Sequence, residues 1–291
     1  MLNFIINAKG KRRKINKAVK TIENYLTRRN INFKLFLTKC KGDAKEIAKQ
    51  LTASNGGDII AVGGDGTVFD VLNGLSNFDM NLGIIPFGTG NDFCKAINIK
   101  SKKIIPALEI ILKNEPKFTD FILVNDNLRV LNIAGMGIDS DVLNRYYKAK
   151  IFKGKFGYYL SLIVSLFKFK WNKYKIKIDE KPEMQKTAMI TSACNGKYFG
   201  GGMKISPLSA VDDGFLNVII VNKIRRIRIP FAFVSFISGK ILKKKFTEHI
   251  LCKKMQLISD AKPLINADGE IIQSDIFNCE VVHNKLKLFR P

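Results

Sequence analysis

Four short stretches hold residues whose types and spacing suit chemistry on phosphate. AVGGDGTVFD (61–70) closes an apolar run with Gly63, Gly64 and Gly66 around Asp65, followed by Thr67. Glycines at a strand-to-helix turn leave backbone N–H groups unshielded, and the helix N-terminus adds a favourable dipole, so such a turn is an anion site. IIPFGTGNDF (84–93) repeats the logic with Gly88, Thr89, Gly90, Asn91 and Asp92. A carboxylate such as Asp65 beside bound phosphate is unfavourable unless a cation or a hydrogen-bond donor accompanies it, a condition that metal–nucleotide binding satisfies. Read locally, the glycines also fit an ordinary tight turn, and Thr67 with Asp70 fits a capping box. ADGE (267–270) is a tight turn with Asp268 at its tip, and AVDDGFL (210–216) is a further Asp-Gly turn; Asp-Gly is also what a plain hairpin favours.

Composition narrows the chemistry. His249 and His283 are the only histidines, which nearly removes Ser-His-Asp triads and His-rich metal sites and leaves a carboxylate as the natural base. Cys40, Cys94, Cys194, Cys252 and Cys279 are odd in number and scattered, neither a disulfide framework nor a zinc site. Neither a P-loop nor a dinucleotide fingerprint occurs. The net charge of +24 predicts attraction to something anionic: a membrane face, a phosphorylated small molecule or nucleic acid. A Lys-rich proteome with evenly spread charge would produce the same excess. The N-terminus has its apolar run before its charges, the reverse of a secretory signal. No stretch reaches the roughly 18 apolar residues of a spanning helix, so a cytoplasmic location is expected.

The elements that must position these turns alternate in the first third. Strands are expected at 3–6, 33–37, 58–62 and 81–88, and helices at 15–29, 43–57 and from 67. Strand and helix alternating in this way predict a parallel sheet with helices on its faces. The two glycine turns then lie side by side at the sheet's carboxyl edge, where such folds bind ligands. After about residue 117 short strands dominate (121–125, 129–135, 174–179, 187–196, 215–221, 255–259) and 263–274 reads as a hairpin, which predicts an antiparallel sandwich. Two segments stand apart. Between Asp141 and Asp179 ten basic residues and no acid surround FGYYLSLIVSLFKF, and the pattern recurs between Asp213 and Glu248 around IRRIRIPFAFVSFISGKILKKK. Apolar helices with basic flanks suit a membrane surface; solvated lysines on core helices are the plain alternative.

GGDGT, PFGTGNDF, NIAGMGID (132–139), NGKYFGGGMKISPLSAVDDGFLNV (195–218) and NADGE (266–270), in that order, resemble the soluble diacylglycerol-kinase-type lipid kinases, relatives of sphingosine and ceramide kinases, over nearly the whole chain. The resemblance implies ATP-dependent phosphorylation of a lipid hydroxyl, with ATP held between a Rossmann-like α/β domain (1–117 and 280–291) and a β-sandwich acceptor domain (118–279). It places nucleotide contacts on Asn7, Ala8, Lys9, Gly10, Lys11, Thr38, Gly64, Asp65, Gly66, Thr67, Val68, Phe69, Asp70, Thr89, Asn91 and Asp92. It makes Asp65, Asp92 and Asp120 the positions that hold the nucleotide's Mg2+ through water, and Asp213 with the carbonyls of Ala210 and Phe215 a structural Mg2+ site. It gives Asp268 the part of general base, supported by Glu270, and lists Asp65 with the catalytic positions. A lipid substrate, peripheral attachment to an anionic membrane and a homodimer follow as expectations. The chain departs from the family pattern at NAKGK (7–11), which lacks a proline, and at Phe69 and Asp70, where Asn-Glu is usual.

Two other readings compete. NAD kinases also carry a GGDG turn, but the DDG and ADGE turns and the apolar basic segments have no use for a soluble dinucleotide. A non-catalytic basic protein binding membrane or nucleic acid is permitted by charge, yet RNA-binding signatures and stacking motifs are missing, so no nucleic-acid partner is expected.

Overall fold

The structure, a computed structural model, describes residues 1–99, 103–149, 157, 160–161, 164–165, 168–169, 171–259 and 263–291. The chain forms two compact units, Met1–Asp120 with His283–Pro291 and Phe121–Val282. It crosses from one to the other a few residues beyond the boundary expected from sequence.

The first unit alternates strand and helix: β1 (Leu2–Ile6), α1 (Arg12–Thr27), β2 (Phe33–Leu37), α2 (Asp43–Ala53), β3 (Asp58–Gly63), α3 (Asp65–Gly74), β4 (Leu82–Pro86), α4 (Asp92–Ala96) and α5 (Ile104–Lys113). β5 (Pro116–Val124) leads out of it and the end of β17 (Ile276–Phe289) returns. The strands lie in the order β2-β1-β3-β4-β17, and every pairing from β2 to β17 is parallel. β1 and β4 are buried throughout, as strands covered on both faces must be. Phe4, Ile6, Ile60, Val62 and Ile85 face Ile22 and Leu26 of α1 and Leu108 and Ile111 of α5. The alternate residues Ile5, Ile59, Ala61 and Ile84 are buried as well. Helix α1 follows its apolar period, burying Ile15, Ala18, Ile22 and Leu26. The crossover from β1 runs to β2 on one side and that from β3 runs to β4 on the other, so the two leave in opposite directions. The carboxyl ends of β1 and β3 therefore flank the crevice where open α/β sheets take ligands.

The second unit is antiparallel and β-rich, with β6 (Leu128–Val130), β7 (Ile133–Gly137), α6 (Ile138–Lys148), β8 (Asn172–Ile178), β9 (Met184–Cys194), β10 (Tyr198–Phe199) and β11 (Met203–Lys204). It continues through β12 (Leu216–Asn222), α7 (Ile229–Ile237), β13 (Thr247–Cys252), β14 (Lys254–Ile258), β15 (Leu264–Ala267) and β16 (Glu270–Gln273) into the first part of β17. The order is β16-β15-β7-β9-β8-β14-β17, with β12 joining β9 to β13. In β8, buried Tyr174, Ile176 and Ile178 alternate with exposed Lys175 and Lys177, the mark of a sheet with one wet face. The fold class read from the sequence is the one observed.

Some local readings change. The capping box on Thr67 and Asp70 does not form: α3 already begins at Asp65 with Gly64 as its N-cap, so Thr67 lies inside the first turn. Helices α5 and α6 and strand β13 are additional to the expected elements. Much of the apolar run 156–169 lies outside the described residues. No helix among the described residues is long and apolar enough to cross a membrane.

Candidate active site

In the first unit, residues far apart in sequence meet at the carboxyl ends of β1, β2 and β3. Asn7, just past β1, donates from Nδ2 to Thr67 Oγ1 at 2.8 Å and accepts from Lys9 N on Oδ1 at 2.8 Å. Ala8 N donates to Thr38 Oγ1 at 3.1 Å. The NAKGK loop is thus anchored by an Asx turn and two hydroxyls. Lys9, Gly10 and Lys11 are exposed, and Lys11 is the N-cap of α1. The first turn of α1 contains Arg12, Arg13 and Lys14 and no acid.

The two glycine turns touch. A Cβ on Gly88 would lie 2.4 Å from Gly64 Cα, so backbone packs directly on backbone and Gly88 has no room for a side chain, while a Cβ on Gly64 would sit a tight 3.2 Å from Gly88 Cα. Asn91 holds the second turn in a left-handed conformation (φ 51°). Its Oδ1 accepts from Gly88 N at 3.2 Å and its Nδ2 donates to Gly88 O at 3.0 Å. Asp65 joins the turns: Oδ1 accepts from Asp92 N at 2.8 Å, and the N–H groups of Phe93 and Asn91 also bond this carboxylate. Asp65 therefore caps α4 from another loop, which gives the carboxylate in GGDGT a structural duty that local spacing does not reveal. Burial pushes its carboxyl above the usual range, the like charge of Asp92 adds to this, and the three N–H donors pull the other way.

Lys95 Nζ sits 2.7 Å from Asp92 Oδ1. Two adjoining carboxylates with one lysine, beside the open backbone of Gly66, make an oxygen-donor set that a hard cation would suit. Asp120 is buried and bonded to His283 Nδ1 at 2.7 Å. Among the described residues no three His, Cys, Asp or Glu side chains gather closely enough to ligate a metal directly. Thr89 is exposed and Asp70 half-buried, whereas Val68 and Phe69 turn into the core. The unusual Phe69 is thus a packing residue of α3.

In the second unit, β15 and β16 form a two-residue hairpin with Asp268 (φ 48°) and Gly269 (φ 97°) at its tip, a type I′ geometry in which Asp-Gly is favoured. The Asp268 side chain reaches back to the segment before β7. Oδ2 accepts from Leu131 N at 2.8 Å, Oδ1 from Ile133 N at 2.9 Å, and Asn132 N lies 3.2 and 3.1 Å from the two oxygens. That segment is fixed in turn by Asn195, whose Nδ2 donates to Leu131 O at 2.7 Å. Gly269 N donates to Asn266 Oδ1 at 2.9 Å, and Tyr147 Oη donates to Gly269 O at 2.7 Å. Glu270 is half-buried at the start of β16. Burial raises the Tyr147 hydroxyl's proton affinity, and the charge of Glu270 adds to it.

Sequence reasoning missed Asp139 and Asn266, although both stand inside quoted motifs. Asn266 Nδ2 donates to Asp139 Oδ2 at 3.2 Å, while Asp139 Oδ1 has no hydrogen-bond partner. Burial pushes the Asp139 carboxyl up. Asp213 lies exposed in a local turn, accepting from Phe215 N on Oδ1 at 3.0 Å. Ala210, half-buried, precedes it.

Known proteins share this architecture. Residues 1–124 match the family described as the diacylglycerol kinase catalytic domain, and residues 132–290 match the YegS C-terminal NAD kinase beta sandwich-like domain. A diacylglycerol kinase of Bacillus subtilis (strain 168) is 29% identical over 80% of this chain and 77% of its own. A protein of Staphylococcus aureus (strain MSSA476), provisionally named a lipid kinase, is 32% identical over 87% of this chain and 84% of its own. A crystal structure from Bacillus anthracis str. Sterne, provisionally described as a diacylglycerol kinase, superposes with a TM-score of 0.82 at 28% identity, covering 100% of this chain and 97% of that one. An NAD kinase from Archaeoglobus fulgidus in complex with ATP shares the fold at a TM-score of 0.55 and 14% identity, covering 100% of this chain and 94% of that one. The chain belongs to the family of bacterial diacylglycerol-kinase-type lipid kinases and is a kinase.

Proposed function

We propose that this kinase transfers the γ-phosphoryl group of ATP to a lipid hydroxyl, converting diacylglycerol to phosphatidic acid, while attached peripherally to an anionic membrane face in the cytoplasm. The observation that carries the reading is the pair of glycine turns joined by Asp65 at the carboxyl edge of a parallel sheet. That edge offers backbone N–H groups and the hydroxyls of Thr38 and Thr67 to phosphate. Cations at a helix N-terminus oppose its dipole, so an anion beside Arg12, Arg13 and Lys14 would relieve a standing repulsion.

Asp65, Asp92 and Asp120 are the residues that would hold magnesium through water, and Asp213 with the Ala210 and Phe215 carbonyls a second, structural ion. When bound, the nucleotide's magnesium neutralises charge on the phosphates. The chain's own work is to fix the nucleotide and to take the proton of the acceptor hydroxyl. In this reading Asp268 is that base and Glu270 supports it. One observation favours a different division: three backbone N–H groups already occupy both oxygens of Asp268, so Asp268 would hold the hairpin while Glu270 takes the proton. Asp268→Asn and Glu270→Gln assayed side by side decide between them, because the base is the residue whose loss removes turnover without lowering thermal stability.

An NAD kinase is the second reading, favoured by the shared fold with an ATP-bound NAD kinase. Labelled ATP and magnesium offered with diacylglycerol in mixed micelles, with ceramide or with NAD separate the two. Label in diacylglycerol is expected; label in NAD with none in any lipid would overturn the proposal.

A further inference from the structure

Helix α7 is apolar on every side yet only partly covered. Its inner stripe, Ile229, Ala232 and Phe236, packs into the core of the second unit. Its outer stripe continues from the preceding turn: Ile227 is 79% exposed, Phe231 72%, Val234 62% and Ile237 58%. Positions 227, 231 and 234 stand four and three residues apart, so they share one helix face. Isolated exposed apolar residues need no explanation, but four large ones on one stripe mark a binding surface.

Charge decides what covers it. Lys223, Arg225, Arg226 and Arg228 precede the stripe and Lys240, Lys243, Lys244 and Lys245 follow it; all eight are exposed. No acid occurs between Asp213 and Glu248. A second copy of the chain would bring this cationic rim against its own image, so self-association through α7 is disfavoured. A bilayer bearing anionic headgroups supplies both missing halves, acyl chains for the stripe and negative charge for the rim. At nine residues α7 is roughly 14 Å long, too short to cross a hydrocarbon core of about 30 Å, so it lies in the interface.

We infer that α7 is the element by which this protein docks on membrane, inserting Ile227, Phe231, Val234 and Ile237 between anionic lipids. The inference rests on the lipid-kinase reading above and names the surface which that reading lacks. The helix also connects docking to the interior, because Ile229 and Phe236 on its inner side line an apolar cavity with Met189 and Asp139.

Sedimentation with vesicles tests it. The full chain should partition onto vesicles of equal parts phosphatidylcholine and phosphatidylglycerol at least tenfold better than onto phosphatidylcholine alone. Phe231→Ser and Val234→Ser should each weaken partitioning by about tenfold. Lys243→Gln, Lys244→Gln and Lys245→Gln together should weaken it by about a hundredfold, on the anionic vesicles only. Phe231→Trp keeps the surface apolar, and its emission should be quenched by brominated acyl chains beyond the quenching of native Trp171. Partitioning unchanged by the serine variants, or no added quenching at position 231, would overturn the proposal. So would a dimer in solution that the serine variants dissociate. Phosphorylation of a water-dispersed short-chain diacylglycerol keeps the two readings apart. The α7 variants should match the native rate there, and a loss of that rate would show that α7 belongs to the reacting site instead. A native protein that phosphorylates no lipid but still docks through α7 would defeat the kinase reading alone.

Discussion

Asp65 and Asp268 stand at the tips of two glycine turns, one in each unit, and both carboxylates bond backbone N–H groups of a distant loop. Asp65 caps α4 across 27 residues, and Asp268 clamps Leu131–Ile133 across more than 130. Their surroundings differ. Asp65 has a second carboxylate, Asp92, beside it, and burial with that repulsion holds its carboxyl above the usual range. Asp268 also meets three donors, but at the tip of a left-handed hairpin turn that Asp-Gly favours. Asp65 thus carries negative charge that a cation would relieve, whereas Asp268 contributes rigidity. A motif carboxylate can be there for its charge or for its geometry, and only long-range contacts tell which.

The sharpest way to break this contrast is to neutralise each acid. Asp268→Asn presents an amide donor where N–H groups point, so two hydrogen bonds are replaced by a clash of donors. Denaturant unfolding should show a stability loss of about 1–3 kcal/mol, with lipid phosphorylation falling alongside it. Asp65→Asn should do the reverse to the unliganded protein. Asn still caps α4, and the repulsion with Asp92 disappears, so thermal stability at neutral pH should hold or rise while affinity for magnesium–ATP drops in calorimetry. Equal losses of stability in both variants would erase the distinction.

Gly88→Ala sharpens the first half. The new methyl would meet the Gly64 backbone, and overpacking of this kind costs about 1–3 kcal/mol. ATP affinity should fall along with stability; a neutral substitution would mean the turns can part freely.

Asp139 gives the smallest and most pH-specific effect. Its folded carboxyl is raised by burial above the unfolded value, so the folded state binds the extra proton. Stability from this group is therefore full below the unfolded value and is lost as pH rises toward the folded one. Asp139→Asn should flatten that fall in melting temperature, and parallel curves for the two proteins would contradict it.

Much of this was legible in the sequence. Strands β1, β3 and β4 announce themselves because doubly covered parallel strands are continuous apolar runs, as in DIIAV. The side-by-side glycine turns follow from placing both at consecutive strand ends. The start of α3 was not legible, since Thr67 and Asp70 satisfy a local rule that Gly64 and Asp65 override. Nor were the duties of Asp65, Asp268 and Asn266, which depend on partners brought near only by the sheets. Phe69 looked like a departure at a ligand site because spacing alone does not say which way a helix residue turns.

The most direct test measures transfer and nucleotide binding together. Native protein should move label from ATP to diacylglycerol in mixed micelles only with magnesium present, and Asp65→Asn should lose nucleotide affinity while remaining folded. Native protein that binds magnesium–ATP yet labels no lipid, or an Asp65→Asn variant with unaltered affinity, would contradict the account.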